Sequence, residues 1–280
     1  MLAGVPRFGL GPENRLALGV QHSLVLTQDG RVWSTGFNEY GQLGDGTTDH
    51  ASKFVVTFTN AVDIAVGNGH SMVLKHDGSV WTTGRNKYGQ LGDGSRGSKN
   101  SFLKVLSTGA RAVAAGRYHS MVLKEDGSVW TTGRNDHGQL GYRTISRSAR
   151  FVQVVSRGAK AVAAGGYHSM VLKQDGSVWA TGRNSFGQLG DDTTNDKCKF
   201  EQVIDTGAVA IAAGARYSMV LKEDGSVWAT GANDRGQLGD GSTRYKATYA
   251  PITGMFVSLN PHCLRSCSRL TPFLLYCSNR

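Results

Sequence analysis

Cysteine is nearly missing from the body of this 280-residue chain. Of four, Cys263, Cys267 and Cys277 fall in the last eighteen residues, and Cys198 stands alone in the first 250. That excludes a disulfide framework for the main body and favours a reducing, intracellular setting, cytoplasmic or nuclear. Only 5 prolines occur, too few for a Pro-rich disordered chain. No apolar run approaches the roughly 20 residues that a helix needs to cross a bilayer; the best, PFLLYC, is far shorter. The N-terminal MLAGVPRFGLGPENRLALGV lacks the positively charged start and continuous apolar stretch of a secretory signal. A helical apolar period is missing too, as are a Walker loop, a nucleophile elbow and His-Glu-x-x-His. His262, Cys263 and Cys267 do not match paired zinc-ligand spacing. No catalytic residue, metal or cofactor is expected, and no membrane contact; the chain is read as a monomer.

Glycine, by contrast, is plentiful at 38, which points to many tight turns. Lys and Arg total 31 against 21 Asp and Glu, a formal charge of +10. An acidic protein surface, chromatin or another anionic partner would suit that balance, and charge alone does not choose among them.

The chain repeats itself. Trp33, Trp81, Trp130, Trp179 and Trp228 are separated by 48, 49, 49 and 49 residues. The same register carries Asp29-Gly30, Asp77-Gly78, Asp126-Gly127, Asp175-Gly176 and Asp224-Gly225, and Gly-Gln-Leu-Gly starting at Gly41, Gly89, Gly138, Gly187 and Gly236. Residues 116–141 and 165–190 agree at 21 of 26 positions, so the copies arose by internal duplication. Within a copy, SMVLK and SVWTTG flank an Asp-Gly, the signature of a hairpin whose glycine accepts positive φ. FVQVV and AVAAG read as two further short strands. Four strands in about 49 residues make one propeller blade, and blades must stack because a single sheet cannot bury both faces. The expected fold is all-β, a propeller with five recognisable four-stranded blades over residues 1–259. Residues 260–280 differ in composition and read as a divergent tail outside it.

The pattern G-x-x-H-S-x-x-L…D-G-x-V-x-x-x-G-x-N-x-x-G-Q-L-G resembles the repeat of the regulator of chromosome condensation family. It runs over Gly19–Gly44, Gly67–Gly92, Gly116–Gly141, Gly165–Gly190 and, with Tyr217 for His, Gly214–Gly239. The resemblance covers roughly residues 12–257 and implies a β-propeller. Well-known members have seven blades, so the tail reads as the truncated or frame-shifted end of a longer propeller. The alternative is a five-bladed ring in which the strand near Tyr249–Ile252 completes the first blade. The family includes an exchange factor for a nuclear small GTPase that docks on chromatin, propellers attached to ubiquitin ligases, a plant ultraviolet-B photoreceptor and a secreted β-lactamase inhibitor. The resemblance therefore implies a non-enzymatic scaffold that binds a protein partner through its loop faces, with exchange factor and ligase arm as alternatives. In the exchange factor the active wedge is an inserted hairpin, for which the uniform spacing here leaves no room.

Candidate sites fall into two groups. His22, His70, His119 and His168 recur beside Ser and are assigned a hydrogen-bonding role inside each blade. Ring-related copies would stand too far apart to share one ion. The Trp are assigned to packing, because no Trp occupies the photoreceptor-like position at Gly116-Arg117-Tyr118-His119. Lys75, Lys124, Lys173 and Lys222, with Arg85, Arg134 and Arg183, are assigned to a solvated rim partly balanced by Asp45, Asp93, Asp191 and Asp240. A specific site belongs where copies differ. Tyr142 replaces the expected Asp and is followed by Arg143, Arg147 and Arg150, while the preceding loop supplies Arg96 and Lys99. These six are the expected partner-binding patch, suited to an acidic or phosphate-bearing partner such as a small GTPase or chromatin. Tyr40, Tyr88, His137, Phe186 and Arg235 vary at a second equivalent position.

Overall fold

The chain is described here from a computed structural model that covers residues 14–256, with side chains through Ile252. Twenty strands form five four-stranded antiparallel sheets, each built from consecutive strands in spatial order. The first holds β1 (Arg15–Leu18), β2 (His22–Leu26), β3 (Val32–Gly36) and β4 (Ala51–Phe58). The second holds β5 (Ala61–Val66), β6 (His70–Lys75), β7 (Val80–Gly84) and β8 (Lys99–Leu106). The third holds β9 (Ala110–Ala115), β10 (His119–Lys124), β11 (Val129–Gly133) and β12 (Ser148–Val155). The fourth holds β13 (Ala159–Ala164), β14 (His168–Lys173), β15 (Val178–Gly182) and β16 (Lys197–Ile204). The fifth holds β17 (Ala208–Ala213), β18 (Tyr217–Lys222), β19 (Ser226–Gly231) and β20 (Lys246–Phe256). The all-β blade reading is therefore correct. Tyr249–Ile252 belongs to β20, which pairs with β19 and not with the first sheet. The first sheet already has its own outer strand in β4, so that segment is not what completes its four strands. Residues 260–280 lie outside the described residues. Among the described residues no helix is long and apolar enough to cross a membrane.

The innermost strands β1, β5, β9, β13 and β17 contact one another in sequence. Their alanines allow this close approach. Each hairpin between second and third strands turns on its Asp-Gly. Asp126 Oδ1 accepts from the Ser128 amide at 2.8 Å and its hydroxyl at 2.6 Å, and Ser128 Oγ accepts from Trp130 Nε1 at 3.0 Å. Gly127, at φ 77°, then accepts the amide of Ala159 in the next blade on its carbonyl at 3.0 Å. A side chain at such a φ would be strained.

The core lies between blades. One cluster joins Leu24, Leu26 and Val32 of the first sheet to Ala61, Ile64 and Val73 of the second, and the same arrangement recurs along the arc. A fully buried side chain such as Val122 contributes about 1.5–3 kcal/mol. The histidines stitch these seams. Nε2 of His22, His70, His119 and His168 lies 3.0, 3.0, 3.0 and 2.9 Å from Oγ of Ser71, Ser120, Ser169 and Ser218 in the following blade. Each of these hydroxyls donates to a glutamine carbonyl of the preceding blade, from Gln42 to Gln188, at 2.7 Å. With the Ser proton committed, each His must donate from Nε2, which fixes the tautomer. The histidines are therefore hydrogen-bonding groups, but between blades and not inside one as the repeat alone implied.

Candidate interaction face

Antiparallel order puts the loops between first and second strands and between third and fourth strands at one end of every blade. The Asp-Gly turns occupy the other end. At the loop end, the residue after the third strand donates its amide to the residue before the second strand. Arg85 bonds the Gly69 carbonyl at 2.7 Å, Arg134 that of Tyr118 at 2.9 Å and Arg183 that of Tyr167 at 2.8 Å. The longer loop is held by its buried Asn. Asn86 Oδ1 accepts from Leu91 N at 3.0 Å while its Nδ2 donates to Asp93 at 3.0 Å. Gln90 Oε1 accepts the amide of Tyr88 at 3.0 Å, which positions that ring.

These loops bring guanidinium groups and tyrosine rings into one interleaved surface. Arg85 lies 4.8 Å from the Tyr40 ring and 5.3 Å from Tyr118. Arg134 lies 5.0 Å from Tyr88, 5.7 Å from Tyr118 and 5.3 Å from Tyr167. Arg117 sits 5.3 Å from Tyr118 and 5.6 Å from Tyr167, Arg147 sits 5.0 Å from Tyr88, and Arg216 sits 5.2 Å from Phe186. Tyr88 and Tyr118 approach to 5.2 Å, and the His137 ring lies 5.5 Å from Tyr167. Such contacts are each worth about 0.5–2 kcal/mol and, more to the point, fix long side chains in place.

Asp136 takes Arg134 at 2.8 Å and Arg147 at 3.4 Å, and Asp196 takes His137 at 2.7 Å. Burial alone would raise the Asp136 carboxyl, but the Arg134 bond and both guanidinium charges hold it below the usual range. Burial would likewise raise Tyr118, yet Arg117, the Asn68 amide at 3.1 Å and Arg85 carry its phenol below the ordinary value. Arg85, Arg117, Arg183 and Arg216 have no carboxylate in ion-pair contact among the described residues. The face has surplus positive charge.

Arg85, Arg134 and Arg183 are thus not a solvated rim, because each is stacked on a ring. The lysine series also differs from a free rim: Lys124, Lys173 and Lys222 lie 4.4, 3.9 and 4.0 Å from the rings of Trp130, Trp179 and Trp228. The six expected patch residues divide. Arg147 joins the stacked face. Lys99 pairs with Asp93 at 3.7 Å, and Arg150 covers Gly94, whose amide donates to the Ala149 carbonyl at 2.8 Å, so these two loops do meet. Arg96 is exposed nearby in chain. The Tyr142 hydroxyl donates to the Ser146 carbonyl, and Arg143, at φ 71°, bonds the Cys198 carbonyl from its amide at 2.7 Å. Tyr118, Tyr167 and Arg117 escaped the sequence reading. Their signal was present, since the position before the His or its equivalent varies as Gln21, Gly69, Tyr118, Tyr167 and Arg216.

The RCC1-like domain family profile matches residues 6–267. Among solved structures, human WBSCR16 superposes with a TM-score of 0.76 at 25% identity, over 86% of this chain and 68% of that one. Yeast RCC1 (Prp20), crystallised with Kap60 bound, gives 0.74 at 23% identity over 86% and 63%. Prp20p from Saccharomyces cerevisiae, described with its binding properties to Gsp1p and histones, gives 0.77 at 20% over 86% and 63%. The chain thus spans less than two thirds of the yeast protein, and at that identity the likeness carries the fold alone.

Proposed function

Because this chain belongs to the RCC1-like domain family of β-propellers, we propose that it is a non-enzymatic interaction scaffold that binds a protein partner through the loop end of its blades. The observation that carries this reading is the set of guanidinium groups at Arg85, Arg117 and Arg183, held by rings and rigid loops and with no carboxylate in ion-pair contact among the described residues. Fixed, unneutralised donors lower the ordering cost of binding. Arg96, Lys99, Tyr142, Arg143 and Arg150 extend the proposed contact outward from Arg147. The cytoplasm or nucleus is the proposed compartment.

A photo-reactive amino acid at Tyr118 tests this reading against the same group at Arg157, between β12 and β13 at the opposite end. Protein adducts are expected from position 118 alone. Equal adduct formation at both positions, or none at 118, would defeat the proposal. Yeast RCC1 (Prp20), bound by Kap60 and described with binding properties to Gsp1p and histones, supports an exchange-factor reading as the alternative for this chain. Acceleration of labelled-nucleotide release from a small GTPase would establish that reading, and unchanged release would remove it.

A further inference from the structure

We infer that the ligand of the loop face is an acidic peptide segment of the partner, its Asp and Glu carboxylates held by the edges of ring-stacked guanidinium groups. This rests on the loop face being the partner surface. Stacking covers the flat face of a guanidinium and leaves its N–H edge outward, and that edge matches a carboxylate with two parallel hydrogen bonds. Tyr118 has Arg85, Arg117 and Arg134 at 5.3, 5.3 and 5.7 Å, and Tyr167 has Arg117, Arg134 and Arg183 at 5.6, 5.3 and 5.9 Å.

That occupancy argues against single-stranded nucleic acid. Such strands bind by stacking bases on free aromatic faces while cations follow the phosphates. Here the tyrosine faces are already taken, so a base would have to displace a guanidinium before it could stack. A carboxylate needs no displacement, because it meets the donors where they stand. Asp136 shows the mode from within the chain: one carboxylate receives Nε of Arg134 at 2.8 Å and Nε of Arg147 at 3.4 Å while both guanidiniums stay on Tyr88 at 5.0 Å. Arg85, Arg117 and Arg183 have no such anion in ion-pair contact among the described residues, and an incoming acidic segment would supply it.

The test is fluorescence anisotropy with the full chain at low ionic strength. Three labelled probes are compared: a ten-residue peptide of alternating Glu and Gly, the same peptide with Gln for Glu, and a ten-nucleotide thymidine strand. The Glu peptide is expected to bind tightest. Arg117→Glu and Arg85→Glu, checked for folding by circular dichroism, are each expected to weaken it by about tenfold or more. Arg157→Glu, with the same charge change at the opposite end, should alter it by less than about twofold. Equal binding of Glu and Gln peptides, tighter binding of thymidine, or equal losses at Arg117 and Arg157 would each overturn the inference. If crosslinking at position 118 succeeds while the Glu peptide fails, the partner surface stands and only the acidic chemistry falls.

Discussion

At Gly116 a single added methyl would stand 2.1 Å from Cε1 of His119 and 2.6 Å from the carbonyl of Gly165. One neighbour is a fully buried ring and the other is backbone of the next blade, so neither can yield cheaply. Gly116→Ala is expected to cost about 2–3 kcal/mol, the scale of overpacking in a close-packed interior. Gly97 is the matched control. Nothing lies within 4 Å of its virtual Cβ and its φ is not in the left-handed region, so Gly97→Ala is expected to be neutral or slightly stabilising. Urea denaturation of both variants beside the parent decides the matter. Equal midpoints for the two would show that the His–Gly contact across the seam does not constrain the fold. The close fit also explains why Gly recurs three residues before the His, which the periodicity alone left without a reason.

The blade seams make stability depend on pH. Burial depresses His22 to about 4, His70 and His119 to about 3 and His168 to about 4. For the middle two, charge on neighbouring histidines lowers the value further. Nδ1 of His70, His119 and His168 is buried without a hydrogen-bond partner, so no group compensates a second proton. Unfolded imidazoles take up protons near pH 6.5 while the folded ones remain neutral, so the unfolded state binds more protons below that pH. Stability is therefore full above about pH 6.5 and is lost as pH falls toward about 4. At pH 5 each histidine forfeits about 2 kcal/mol. Four such losses are comparable with the whole stability of an ordinary domain, about 5–15 kcal/mol. The urea midpoint is expected to fall steeply between pH 7 and pH 5, and a flat profile over that window would refute the coupling. Carboxylates such as Asp126, lowered by its bonds to Ser128, act only at still lower pH.

The repeat made strands, hairpins and the five described blades readable, because hydrophobic alternation and Asp-Gly turns are local properties of the chain. Contacts across a seam are not local. His119 meets Ser169 fifty residues away, and one copy of the motif does not reveal whether its His bonds its own Ser or the next. The interaction face was half legible for the same reason. Variation between copies marked Tyr88 and His137, yet the stacking of Arg134 on rings from three blades follows only from the curvature that brings those blades together.

At the scale of the whole molecule, the two ends of the arc are unequal halves of the same seam. In the first four blades, a Cβ on the last glycine of Gly-Gln-Leu-Gly would lie 2.3, 2.4, 2.5 and 2.4 Å from the outer-strand aromatic of the following blade: Phe102, Phe151, Phe200 and Tyr249. Gly239, the fifth of the series, has nothing within 4 Å among the described residues. Phe54, the matching aromatic of the first blade, is 48% exposed, and Leu16, Leu18 and Val20 beside the inner edge are exposed as well. Among the described residues no hydrogen bond or ion pair joins the first sheet to the fifth. Among the described residues, one end offers a socket and the other an unsocketed ring. If the family's seven-bladed curvature holds here, two further blades should engage both ends. Replacing residues 253–280 with a second copy of residues 106–204, which contains the third and fourth blades, supplies them in register. The extended chain gains two internal seams and a closing one. Its Tm is expected to rise by about 7 °C, since about 5 kcal/mol divided by an unfolding entropy of about 2.1 cal/mol/K per residue gives that shift for a chain of about 350 residues. Binding of a hydrophobic dye should fall as Phe54 and the β1 edge become covered. An unchanged Tm with undiminished dye binding would mean that the curvature does not bring the two ends within two blades of each other.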